Sequence, residues 1–174
     1  EKGMGLVNDV FTPSRLEALP GDRAIGHVRY STSGDTVASN AQPYLIECHR
    51  GPIAIGHNGN LVNATILRHE LEAAGSIFQS TSDTEVILHL YARSHRERLE
   101  DAIAASLLKV MGAFSLVFLT PDALVAARDP WGFRPLVLGR ADIERGEARF
   151  EGRRYLVTRG TLDFTNPDRI QPFF

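Results

Sequence analysis

Apolar residues along this chain fall into two patterns: short runs bounded by turn residues, and longer stretches in which they recur every three or four positions. The first pattern reads as strands and the second as amphipathic helices. Tyr44 to Cys48 and Ile53 to Gly56 read as a hairpin around Arg50-Gly51-Pro52. Ala113 to Leu119 and Ala123 to Arg128 read as strands joined at Thr120-Pro121-Asp122. Ala24 to Arg29, Pro135 to Gly139 and Tyr155 to Thr158 read as further strands. Leu61 to Ala74 predicts a helix with Val62, Ile66, Leu67 and Leu71 on one face and Gly75 as its stop. Helices are also predicted from about Asp83 to Arg93 and Leu99 to Met111, and a short one over Val10 to Leu19, with Thr12 as cap and Pro13 in the first turn. Ser31 to Asn40 and Arg140 to Gly152 are polar connections, and Pro20-Gly21-Asp22 and Asp129-Pro130-Trp131-Gly132 are turns. Hairpins thus come in groups with consecutive helices between them, which argues for a layered α+β domain rather than alternating βαβ units.

Composition narrows the function classes. The 174 residues suffice for one domain with a real core. A formal net charge of −2 without a basic stripe argues against nucleic acid as the main partner. Apolar stretches such as Phe114 to Leu119 are too short to cross a bilayer. Nothing near Glu1 resembles a secretory signal, so the expected location is cytoplasmic. A single cysteine, Cys48, excludes an internal disulfide framework and a cysteine zinc site, and the scattered histidines lack paired ligand spacing.

Candidate chemistry gathers at three places. Asn58-Gly59, after the run Ile53-Ala54-Ile55, reads as a strand exit. It offers a carboxamide N–H beside an unhindered backbone N–H, the donor pair that acyl transfer needs for a developing oxyanion. Arg29, in Gly26-His27-Val28-Arg29-Tyr30-Ser31-Thr32, suits a carboxylate, and Asp83, in Ser82-Asp83-Thr84-Glu85, suits an ammonium. Each has a plainer reading: Asn-Gly as a hairpin turn, Arg29 as a surface arginine, Asp83 as a helix cap. Together they complement one ligand, a free amino-acid amide, although sequence spacing does not bring them together in space.

These segments resemble the amidophosphoribosyltransferase family. The resemblance is carried by Gly3 to Phe11, Gly26 to Thr32, Ala41-Gln42-Pro43, Gly56 to Asn63, Ser80 to Ile87 and Ala127 to Leu136, in the family's order. The related glucosamine-6-phosphate synthase is expected to have Trp where Tyr30 stands and His where Gln42 stands. The resemblance implies a class II glutamine amidotransferase domain over residues 1–158, with a divergent tail over 159–174. The implied fold is the four-layer αββα sandwich of the N-terminal-nucleophile hydrolases, here without its first strands. It further implies that Arg29 binds the glutamine carboxylate with Tyr30 and Thr32 beside it, that Asp83 binds the ammonium, that Asn58 and Gly59 form the oxyanion hole, and that Ser31 to Asn40 closes over the substrate. Glutamine, a phosphoribosyltransferase domain and further copies of the same chain are the implied partners. The family's Mg²⁺, used with phosphoribosyl pyrophosphate, and the iron–sulfur cluster of some members are not expected in these residues. Glu1 stands where the pattern calls for a domain interior, and the family's N-terminal cysteine nucleophile is not seen. The expectation is therefore a fragment that does not turn over glutamine. A non-catalytic glutamine- or partner-binding remnant, or another class II amidotransferase, are the alternatives. Cys48, inside a strand and without a terminal amine, reads as a packing residue.

Overall fold

A computed structural model of the chain describes residues 1–28, 38–137, 139–142, 147–150 and 153–156. The chain divides into two compact units, Glu1–Arg134 and Pro135–Phe174. The expected domain limit at 158/159 lies outside the described residues.

The first unit is built on an antiparallel sheet of order β1-β2-β3-β4: β1 Tyr44–Cys48, β2 Gly51–Leu61, β3 Gly112–Leu119 and β4 Leu124–Arg128. Tyr44 pairs with Ile55, Ile55 with Phe118, and Phe118 with Val125, so one face of the sheet carries Tyr44, Ile53, Ile55, Leu61, Phe114, Leu116 and Phe118. All seven are buried in one cluster with Val86, Ile87, Leu90 and Tyr91 of α4 (Thr84–Ala92) and Ala102 and Ile103 of α5 (Leu99–Leu107). Each large side chain buried there is worth about 1.5–3 kcal/mol. The core thus lies between the sheet and one helical layer, which α3 (Ala64–Ala73) completes through Leu71. On the other face Leu45, Asn58, Asn60 and Leu124 are exposed, while Gly56 and Ser115 are buried. Residues 1–28 reach its β1 side, where Lys2 donates to the Ala41 carbonyl, and a groove opens there between Val10, Leu16 and Leu19 and the strand residues Leu45, Ala54 and Leu119.

The element boundaries differ from the sequence reading at several points. β2 does not end at Gly56 but pairs with β3 through Leu61, so Asn58-Gly59 lies inside a strand and α3 begins only at Ala64. The alternation of Asn58 and Asn60 with Gly59 and Leu61 satisfies the strand's period of two, and the β3 ladder overrides the Asn-Gly turn signal. The expected helix over 10–19 is two short ones, α1 Val7–Val10 and α2 Pro13–Glu17, because Pro13 cannot continue a helix and instead opens the second. Residues 24–28 form no strand. In the second unit, residues 135–137 are not extended in a sheet, while the polar stretch forms β5 Gly139–Asp142 and β6 Glu147–Phe150, which pairs with β7 Arg153–Leu156. These three strands form an antiparallel sheet of order β5-β6-β7.

Candidate active site

The site is an edge of β2. In an antiparallel ladder the N–H and C=O groups of alternate residues point to opposite edges. Val62 N–H donates to the Met111 carbonyl at 2.8 Å, while Phe114 turns its carbonyl to Asp129 N–H at 2.9 Å and its N–H to Asp129 Oδ2 at 3.2 Å. The even-numbered residues of β2 therefore face β3, and His57, Gly59 and Leu61 face away from it. Along Gly51 to Ile55 that outer edge is covered by β1, which starts at Tyr44. Beyond Ile55, side chains cover it. His57 N–H donates to Gln42 Oε1 at 2.7 Å, and Leu61 N–H donates to Asp83 Oδ2 at 2.8 Å. Between these two capped donors lies Gly59, whose N–H faces the same edge.

Gly59 is required by close approach. A Cβ there would overlap the Ala113 carbonyl oxygen and stand 2.8 Å from Phe114 Cα and 2.7 Å from His57 Nε2. Asn58 projects its side chain from the exposed face of the sheet, opposite His57. The two candidate oxyanion donors thus leave from adjacent residues, one at the edge and one on the open face.

Asp83 stands at the N-cap position of α4, yet its side chain makes no cap hydrogen bond. Its carboxylate crosses instead to β2, so the plainer cap reading does not describe what it does. Oδ1 receives the Thr84 hydroxyl at 3.4 Å and lies 3.6 Å from His57 Nδ1. Burial works against its charge, but the His57 imidazole beside it, the Leu61 N–H and the Thr84 hydroxyl together hold its carboxyl below the ordinary value. Its side chain keeps 24% of its surface exposed, enough to receive a ligand cation.

The loop that carries Asp83 is held from two sides. Glu85, buried at the start of α4, accepts from Gln79 N–H at 2.7 Å, Ser80 N–H at 2.8 Å and the Ser80 hydroxyl at 2.6 Å. Arg68 of α3 lies over the Phe78 ring and donates to the carbonyls of Ser80 and Ser82 at 2.9 and 3.1 Å. Asn40 joins Thr81 at 3.0 Å. None of these supports was singled out by sequence reasoning, because they act through backbone groups or join side chains distant in sequence, which a residue pattern does not reveal.

Arg29, Tyr30 and Thr32, with loop residues 31–37, lie outside the described residues. His27 is described: its Nε2 meets the His57 carbonyl at 3.0 Å, which ties the segment leading to Arg29 to the residue before Asn58. His27 and His57 are hydrogen-bonded neighbours at this edge. Cys48 pairs with Gly51, so along β2 it stands seven residues, roughly 23 Å, from Asn58. An iron–sulfur cluster needs several thiolates and the chain has Cys48 alone. Among the described residues no three His, Cys, Asp or Glu side chains gather as a metal ion requires. The cysteine count alone does not fit a cluster held by several thiolates.

Residues 27–150 match the glutamine amidotransferase domain family, and the chain belongs to that family. Its likeness within the family is to amidophosphoribosyltransferases. It is 53% identical over 138 residues to amidophosphoribosyltransferase 3, chloroplastic, of Arabidopsis thaliana, covering 79% of this chain and 26% of that one. It is 48% identical over 143 residues to the Rhizobium etli amidophosphoribosyltransferase, covering 82% and 29%. Among solved structures it is similar to the glutamine phosphoribosylpyrophosphate amidotransferase of B. subtilis complexed with ADP and GMP, with a TM-score of 0.72 and 45% identity over 78% of this chain and 29% of that one. A structure described as the allosteric regulatory enzyme of purine biosynthesis gives a TM-score of 0.75 at 45% identity, over 79% and 30%. The chain thus spans between a quarter and a third of the length of these relatives. The fold is the α+β fold of the N-terminal-nucleophile hydrolases, and unit 1 supplies one sheet and one helical layer of its sandwich. No helix among the described residues is long and apolar enough to cross a membrane.

Proposed function

We propose that this chain carries the glutamine site of an amidophosphoribosyltransferase, where glutamine and water give glutamate and ammonia. In the whole enzyme the ammonia attacks the anomeric carbon of phosphoribosyl pyrophosphate and displaces pyrophosphate, giving 5-phosphoribosylamine. The observation that carries the reading is the β2 edge: two of its three outward N–H groups are capped by Gln42 and Asp83, and the Gly59 N–H lies between them. An oxyanion placed there gains a fixed donor that needs no reorganisation as charge develops. Asp83 holds the α-ammonium through its partly exposed carboxylate. Arg29 takes the α-carboxylate, with Tyr30 and Thr32 beside it. The docking of His27 on His57 supports bringing this segment to the same edge. Asn58 supplies the second oxyanion donor.

The nucleophile of this reaction is not Cys48, which stands at the far end of the β1–β2 hairpin. Residues 1–174 by themselves therefore bind glutamine without hydrolysing it. The full-length enzyme works with a phosphoribosyltransferase domain and as a homo-oligomer. Calorimetric titration of the 174-residue chain with glutamine tests the reading. Saturable heat, lost in Arg29→Ala and in Asp83→Ala, is the expected result. Heat unchanged by both substitutions would exclude the assigned site, and glutamate release by the chain alone would exclude the assignment of Cys48 as a bystander.

A further inference from the structure

Behind Asp83 lies a buried polar hub that no role assigned above uses. Thr84 Oγ meets three groups: His57 Nδ1 at 2.9 Å, Asp83 Oδ1 at 3.4 Å and Gln42 Nε2 at 3.5 Å. Gln42 uses its other amide atom to accept from His57 N–H at 2.7 Å. A hydroxyl has one proton to give and two lone pairs to fill. The carboxylate only accepts and the amide nitrogen only donates, so those two contacts fix their own directions. Thr84 must donate to Asp83 and accept from Gln42. Its remaining lone pair then accepts from His57, which requires the imidazole proton on Nδ1.

The other ring nitrogen bears on the same choice. His57 Nε2 is buried and has no hydrogen-bond partner among the described residues. With the proton on Nδ1 it is a bare lone pair. A charged imidazolium would gain from Asp83 at 3.6 Å, a distance beyond direct hydrogen bonding, but would bury an N–H with no acceptor. That orphan would carry the full desolvation penalty of an unpaired buried donor.

We propose that Thr84 and His57 are positioning residues for the ammonium-binding carboxylate: a hydrogen-bond chain of fixed direction, from His57 Nδ1–H to the Thr84 hydroxyl to Asp83 Oδ1, aims Asp83 beside Gly59. The importance of Asp83 as the ammonium partner rests on the function proposed above; the chain of hydrogen bonds does not. Both Asp83 oxygens are thereby located, Oδ2 by the Leu61 N–H and Oδ1 by Thr84. A carboxylate fixed at both oxygens presents its remaining lone pairs in one direction, so a ligand ammonium does not have to order it. Gln42 closes the chain by tying the same hydroxyl to the β2 backbone.

The test is long-range ¹H–¹⁵N correlation of the histidine rings in the labelled 174-residue chain, with Thr84→Val and Thr84→Ser beside it. Val keeps the shape and removes the hydroxyl; Ser keeps the hydroxyl. The wild type should show His57 with its proton on Nδ1. Thr84→Val should move it toward Nε2 and raise the midpoint of the Asp83 carboxyl titration followed by ¹³C, while Thr84→Ser should restore both. Glutamine affinity should fall about tenfold in Thr84→Val, equivalent to about 1.4 kcal/mol, and return in Thr84→Ser. A wild-type His57 protonated on Nε2 would overturn the proposal, as would an Asp83 midpoint unmoved in a folded Thr84→Val. If Thr84→Val does not fold, the wild-type tautomer and its retention in Thr84→Ser still decide. Should the tautomer be as expected while glutamine gives no heat in any variant, the hydrogen-bond chain stands and the substrate assignment fails.

Discussion

Along Gly51 to Ile55 the outer edge of β2 is paired with β1, backbone to backbone; along Gly56 to Leu61 the same edge is met by the side chains of Gln42 and Asp83. On the inner edge β3 pairs the whole of Gly56 to Leu61 but reaches only Ala54 and Ile55 of the first half. The buried face is alike in both halves: Ile53 and Ile55 in one half, His57 and Leu61 in the other, all on the helix layer. From Ala54 to Leu61, where the inner ladder is continuous, the difference lies at the outer edge. Where a strand covers it, every outward backbone group is spent on the fold. Where side chains cover it, a donor can be left open without a frayed strand, because the inner ladder holds the backbone straight. A rigid sheet thus acquires a site by ending its neighbour early, which is the kind of pre-organisation an oxyanion hole needs.

The two halves should respond differently to a single added methyl, and this is the largest effect expected. Gly59→Ala would drive a Cβ into the β3 backbone at Ala113 and Phe114, which cannot rotate away as a side chain can. Overpacking usually costs 1–3 kcal/mol, and an overlap with backbone should reach about 3 kcal/mol or more. Gly51→Ala meets nothing within 4 Å, and its cost is only that of the left-handed conformation at φ +90°, about 1–2 kcal/mol. Urea unfolding of both variants checks the ordering. Equal losses would mean that β2 and β3 do not approach as closely at Gly59 as they do here.

Acid unfolding sharpens the comparison next, through groups that sit at the site end of the sheet. The carboxyls of Asp83 and Asp129 are both held below the ordinary 3.8 in the folded chain. For Asp129, burial opposes the charge, and the N–H groups of Phe133, Phe114, Arg134 and Trp131 more than offset it. A depressed carboxyl binds fewer protons folded than unfolded, so its contribution is complete above 3.8 and is lost as pH falls through the folded value. His89 behaves likewise from a higher starting point. Burial lowers it, Glu85 opposes that in part, and Arg68 and Arg93 add to the lowering from 6.5. Stability should therefore decline in two windows on acidification, the first below 6.5 and the second below 3.8. His89→Gln should flatten the first and Asp83→Asn the second, read from urea midpoints between about pH 2 and 8. An Asp83→Asn curve parallel to the wild type below pH 4 would remove the argument that its carboxylate is held by His57, Thr84 and Leu61.

How much of this was legible in the sequence follows the same division. The hairpin Tyr44 to Gly56, the strands around 113–119 and 124–128, and helices near 64–73, 84–92 and 99–107 were readable because their apolar periods match what they bury. The far half of β2 was not, because Gly56 to Asn60 has only one buried side chain, that of His57, among glycines and asparagines, and its strand character comes from β3, more than fifty residues away. The candidate residues Asn58, Gly59 and Asp83 were chosen for their donors and charge, and the structure brings Asp83 to the β2 edge at Leu61, two residues from Gly59. The construction of the site was not legible. Gln42, Thr84, Glu85 and Arg68 act through backbone groups or at long range, and nothing in a one-dimensional pattern pairs Gln42 with His57 N–H or Asp83 with Leu61 N–H.

The smallest stability effect belongs to the residue with the largest proposed part in the chemistry. Asn58 projects from the exposed face, and its ladder contacts with Ser115 are made by the backbone. Asn58→Ala should therefore change unfolding free energy by no more than about 0.5 kcal/mol. In a full-length enzyme with its nucleophile, loss of one oxyanion donor should lower kcat by about 10²–10³-fold with little change in KM, because the bond strengthens only as charge develops. Gly59→Ala cannot make that separation, since it disturbs the sheet as well as the donor. A stability loss in Asn58→Ala comparable to that of Gly59→Ala would mean that the side chain is part of the sheet's packing. A KM effect without a kcat effect would move Asn58 from the transition state to the ground-state complex. Only unchanged stability with a fall confined to kcat leaves the second half of β2 as a scaffold whose one free edge does the chemistry.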